Sequence, residues 1–200
     1  MEEFFKVLWE QFQELNGLEA VAVIFGLLSV WFSMKEDILV YPTGIISVVI
    51  YMYITFNFKL YADTGINFYY LAASIYGWYF WTHADDNRPQ VRITLLTKTE
   101  WWITIGLAIA SFAIIRYGLD FTDSDVPTWD AITTTTAIVG MWLMARKKLE
   151  NWIAWIITDV IAVPLYYYKE LYLTSFQFLV FTVLATMGYF AWKKTFKDYD

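Results

Sequence analysis

The chain has no cysteine and a single histidine among its 200 residues. The first excludes disulfides and thiolate chemistry, while leaving the compartment open. The second leaves His83, beside Asp85 and Asp86 at a helix end, as a solvated loop residue rather than a member of a metal cluster. Charge is scarce too: Asp, Glu, Lys and Arg make up 17% of the residues, against about 25% in soluble domains. The net charge of −6 argues against a nucleic-acid partner. Glycine-rich phosphate loops are missing, so the chain has no means of its own to drive transport with a nucleotide, and no cofactor is called for.

What remains is 58% hydrophobic residue, a fifth of the chain aromatic, in runs long enough to cross a bilayer. Spans are expected at 18–34, 38–57, 64–82, 100–119, 128–145, 151–168 and 174–192. This predicts an all-α polytopic protein with seven transmembrane helices and the lipid bilayer as its main partner. Met1 to Gly17 is acidic and has no basic region ahead of an apolar core, so it reads as an uncleaved interfacial segment.

Self-similarity organises the rest. At an offset of 111 residues Glu19-Ala20 matches Asp130-Ala131, Trp31 matches Trp142, and Lys35 matches Arg146. Leu60-Tyr61 matches Leu171-Tyr172, Gly77 matches Gly188 and Trp81 matches Trp192 in the same register. Three helices are thus duplicated. Three crossings end on the opposite side from where they start, and the fourth helix returns the chain, so the copies run parallel. The expected layout is a SWEET-like 3+1+3 arrangement. Its parts are 18–82 as the first repeat, 83–127 as linker with helix 4, 128–192 as the second repeat, and 193–200 as a tail. Ten of the fourteen Lys and Arg residues fall on the side away from the N-terminus. That side is expected to be cytoplasmic, with the N-terminus outside and the C-terminus inside.

Within the spans, Asp159 is the ionisable residue far from either end, about 13 Å from each. A carboxylate there costs roughly 2.5–3.5 kcal/mol on insertion scales, so it faces protein or water. Trp152, Trp155 and Asp159 follow i, i+3, i+7 spacing on one helical face, which Ala162 and Tyr166 extend. Aromatic plates beside an acid suit a flat cationic molecule. Asn67, Tyr70 and Ser74 share a face of the third helix and are candidates for a second wall. The bland alternative for such residues is interhelical hydrogen bonding or packing. Pro42 and Pro164 are candidate breaks in helices 2 and 6. An intramembrane enzyme built on Asp159 is the competing class, but the acid has no obvious companion.

Glu150-Asn151-Trp152-x-x-Trp155, Leu165-Tyr166-x-Tyr168-Lys169-x-Leu171-x-Leu173-Thr174, and Leu60-Tyr61-Ala62-Asp63 with Tyr76-Gly77-Trp78 resemble the Pnu family of vitamin transporters. The resemblance runs from Gly17 to Trp192. It implies facilitated diffusion in the bacterial inner membrane, a homotrimer, trapping of the vitamin by intracellular phosphorylation, and substrate contacts from Trp152 and Trp155. Asp159 stands where nicotinamide riboside members resemble one another in having Asn, and Ile66-Asn67 stands where they have Leu-Gln. An amide both donates and accepts, whereas an ionised carboxylate only accepts. On that ground the sequence favours thiamine, with its amino group and thiazolium charge, over nicotinamide riboside, and leaves neutral riboflavin behind both.

Overall fold

A lipid-embedded backbone must satisfy its polar groups internally, and this chain does so with helices. The computed structural model describes residues 17–83 and 91–198, and the expected interfacial segment lies outside them apart from Gly17, which opens the first helix. The helices are α1 (Gly17–Met34), α2 (Val40–Asn57), α3 (Tyr61–Thr82), α4 (Lys98–Leu119), α5 (Pro127–Ala145), α6 (Asn151–Tyr168) and α7 (Tyr172–Lys197). Of these, α1, α2, α4 and α7 are long and apolar enough to cross a membrane on length and composition. The others are as long, with 22, 19 and 18 residues in α3, α5 and α6, but they carry most of the polar residues singled out above.

The ends of the helices follow from local chemistry. Thr97 and Glu100 form a reciprocal capping box at the start of α4, and Pro127 opens α5, where its missing N–H costs nothing. α1, α2, α5 and α6 each close in a Schellman turn, seen in the bonds Asp37 N–H to Phe32 O, Leu60 N–H to Thr55 O, Lys148 N–H to Leu143 O and Leu171 N–H to Tyr166 O. The residue in the left-handed conformation is glycine in none of them. It is Glu36, Lys59, Lys147 or Glu170, with φ between 55° and 61°. These are two pairs at the 111-residue offset. α7 runs to Lys197 rather than ending near 192, because Lys194 and Lys197 continue the helix and interact favourably with its C-terminal dipole. The two candidate prolines do not break their helices: Pro42 lies in the first turn of α2, and Pro164 sits inside a continuous α6.

Packing makes a ring. α1 touches α2, α2 touches α3, α3 touches α5, α5 touches α6, α6 touches α7, and α7 returns to α1. α4 packs on α5 alone. The two contacts between the copies, α3 with α5 and α7 with α1, are equivalents under the offset. So are the bonds that fasten them. Trp81 Nε1 donates to Met144 O at 3.3 Å, and Trp192 Nε1 donates to Ser33 O at 2.8 Å. Trp81 and Trp192 meet with ring centroids 5.9 Å apart.

The tightest core lies at the basic end, where Ile93, Leu149, Trp152, Ala185 and Trp192 are buried together. Ile93 arrives there because residues 91–97 are stitched to the α5–α6 turn. Thr94 N–H donates to Lys147 O, Leu149 N–H to Thr94 O, and Leu96 N–H to a Glu150 carboxylate oxygen.

Candidate functional site

The α6 face singled out above is inward-facing along its length. Asp159 is 3% exposed, so it looks onto protein and not lipid. Its carboxylate has neither a hydrogen bond nor an ion pair among the described residues, whereas buried charges are ordinarily paired. Its neighbour Thr158 fixes the helix: the hydroxyl lies 2.7 Å from Thr136 Oγ1 on α5 and 2.9 Å from Ala154 O, and its one proton is donated to one or the other.

The two tryptophans of the stripe meet different helices. Trp155 lies against α5 at Gly140, where an added Cβ would stand 3.0 Å from Cε2 of the indole. Trp152 turns to α7. It packs on Gly188 and stands edge-on to Trp192, with centroids 5.5 Å apart and planes at 90°. Its Nε1 is buried without a hydrogen-bond partner. Its counterpart in the first copy, Tyr41, repeats this packing on Gly77 and Trp81, with centroids 5.3 Å apart at 89°.

Two turns beyond Asp159, Tyr166 stacks on Phe178 with centroids 5.1 Å apart and planes at 8°. It lies within electrostatic reach of Tyr70 on α3. The backbones of α3 and α6 are not in contact, so the pair reaches across the ring. Tyr51 on α2 and Gln177 on α7 face one another in the same way, also from helices that do not touch. Four helices thus converge on the interior in the half of the ring nearer the N-terminus. Sequence reading missed Tyr51 and Gln177 as a facing pair. The repeat could have shown the first, since Tyr51 is the counterpart of Ala162 on the stripe.

Asn67 is used locally in this arrangement: its amide donates to Asp63 O, one turn back. Beyond Tyr166 the mouth carries Asp130, which accepts from Lys169 Nζ at 2.7 Å and from Ser124 Oγ at 2.6 Å. Ser74 is buried on α3, while Thr133 and Thr136 bond backward to carbonyls of their own helix.

A family model described as nicotinamide mononucleotide transporter matches residues 16–194. The nicotinamide riboside transporter PnuC of Escherichia coli (strain K12) is 30% identical over 205 residues, covering 90% of this chain and 86% of that protein. The riboflavin/roseoflavin transporter RibM of Streptomyces davaonensis is 24% identical and covers 90% of this chain and 86% of its own length. A crystal structure of the vitamin B3 transporter PnuC shares the fold, with a TM-score of 0.72 at 25% identity over 98% of this chain and 91% of that one.

Proposed function

The chain belongs to the nicotinamide mononucleotide transporter family, and we propose that it carries nicotinamide riboside, or a vitamin of that cationic class, across the bacterial inner membrane. It is a membrane transporter and not an enzyme, as its named relatives are, so the reading of Asp159 as an intramembrane catalyst lapses. The choice of vitamin differs from the thiamine expected from Asp159 alone. Relatives named for nicotinamide riboside favour that substrate, and the acid is compatible with it. Nicotinamide riboside carries a pyridinium charge and a carboxamide N–H₂, so a carboxylate can offset the one and accept from the other.

The observation that carries the proposal is an acid at mid-span, Asp159, buried on the inward face of α6. A desolvated carboxylate finds its compensation in a bound cation. Trp155 supplies an aromatic face one turn to one side of Asp159, and Tyr166 with Tyr70 closes the interior two turns to the other. Trp152 backs the site from the packed basic end, and Asn67 joins it by releasing its local bond to Asp63 O. Movement is downhill without a coupled ion, with the N-terminus outside, and phosphorylation inside the cell traps the vitamin. The homotrimer implied by the family resemblance belongs to the same proposal. α4, which packs on α5 alone, offers a surface for neighbouring copies or lipid.

Uptake into proteoliposomes tests this. Labelled nicotinamide riboside should equilibrate down its gradient with no proton or sodium gradient imposed. Uptake of thiamine but not of nicotinamide riboside would replace the substrate and leave the transporter assignment standing.

A further inference from the structure

The left-handed residue that ends a helix is usually glycine, because other side chains pay for the conformation. α1 and α5 end instead on Glu36 and Lys147, at φ 58° and 55°. The two occupy the same place in their respective copies, 111 residues apart, and they pair with one another at 3.0 Å. Equivalent turns of the two copies thus supply an anion in one and a cation in the other. Their side chains are 17% and 10% exposed, so water screens the pair little. Lys147 is held from two further directions. Its ammonium donates to Val91 O at 2.9 Å and stands 4.7 Å from the centroid of Trp81.

Trp81 is also one of the two indoles that fasten the copies to each other, through its bond to Met144 O, the carbonyl three residues before Lys147. The lock between the repeats at this end thus consists of the two reciprocal Trp-to-carbonyl bonds and one ion pair. The indoles pack by shape, and the ion pair is the part that a change in separation breaks outright.

We propose that Glu36 and Lys147 are the gate at the basic end of the transport path, closed in this structure and opened when the two copies move apart. The proposal rests on the chain being a transporter and not on which vitamin it carries. Parting the pair leaves both charged groups at the mouth, where water entering from the basic side replaces their mutual contact. The equivalent turns at the other end carry Lys59 and Glu170 and lie on the opposite side.

The absence of native cysteine makes the test clean. Ala162, buried on the Asp159 face of α6, is replaced by cysteine as a reporter in the otherwise unaltered full-length protein. A membrane-impermeant maleimide is then applied from the basic side of oriented vesicles, and no substrate is required. Glu36→Gln and Lys147→Gln should each speed labelling by about tenfold, the effect of losing one shielded charge-assisted contact. The reversed pair Glu36→Lys with Lys147→Glu should bring labelling back toward the slow reference rate. Single variants that label as slowly as the reference overturn the gate. So does a reversed pair that labels as fast as the singles, since pairing would then not be what holds the end shut. Uptake measurements bear on the substrate and leave this result independent.

Discussion

Gly188 lies flat against the indole of Trp152: a Cβ added there would stand 2.5 Å from Cη2 of the ring. The first copy repeats the relationship between Gly77 and Tyr41, where the added atom would stand 2.5 Å from the phenolic oxygen. Neither ring can retreat, because Trp152 and Tyr41 are themselves fully packed. Gly188→Ala and Gly77→Ala should therefore each destabilise the purified protein by about 1–3 kcal/mol through overpacking. Thermal unfolding in detergent measures this, and unchanged melting of both would show that the interface yields more than the packing implies.

The reciprocal tryptophan bonds are not equal. Trp192 donates at 2.8 Å from a fully buried position, whereas Trp81 donates at 3.3 Å and is half-buried. Replacing either by Phe removes that bond while the carbonyl keeps a turn bond, from Glu36 N–H to Ser33 O and from Lys147 N–H to Met144 O, so the cost is the net worth of one hydrogen bond, about 0.5–1.5 kcal/mol. Trp192→Phe should be the more damaging of the two in the same melting assay. Equal effects would argue that ring volume, not the hydrogen bond, is what the interface needs.

Trp155 and Trp152 should separate in their consequences. Trp155→Ala should weaken binding of the cationic vitamin by more than tenfold with the fold retained, since a desolvated cation–aromatic contact is worth up to about 2 kcal/mol. Trp152→Ala removes a side chain that is 2% exposed, and should first destabilise the protein, by about 3–5 kcal/mol. Isothermal titration alongside thermal melts reads both quantities. A Trp155→Ala protein that binds normally would move the site off this face of α6.

Sidedness has its own test. Reporter fusions or cysteine labelling at positions 5 and 197 should place them on opposite sides of the membrane, with 197 cytoplasmic. Both ends on one side would remove the seven-span topology and the parallel repeat with it.

Much of this was legible in the residues. The 111-residue register picked out Trp81 with Trp192, which turned out to hold the copies together, and Gly77 with Gly188, which turned out to seat Tyr41 and Trp152 within each copy. Asp159 stood out by its depth alone, and it is buried as depth required. The directions of the two indoles were less accessible. Spacing puts Trp152 and Trp155 on one face, but residues three apart differ by about 60° around the axis, enough for one to meet α7 and the other α5. Nor did hydropathy mark Tyr51, an aromatic within an apolar run, whose role depends on which helices the ring sets opposite one another. The Glu36–Lys147 pair was hidden because its partners are far apart in sequence and each looks like an ordinary charged turn residue.

The most direct test of the account compares nicotinamide riboside with its reduced form, which has a nearly identical outline but no ring charge. If Asp159 compensates a cation, calorimetry on the purified wild type should show the charged vitamin binding at least tenfold more tightly, as one buried charge-assisted contact provides. Asp159→Asn should bring the two affinities within about threefold of one another, because the shape is kept and the charge is gone. Wild-type protein that binds both forms equally, or that binds thiamine and neither of them, would contradict the assignment of this acid and this substrate.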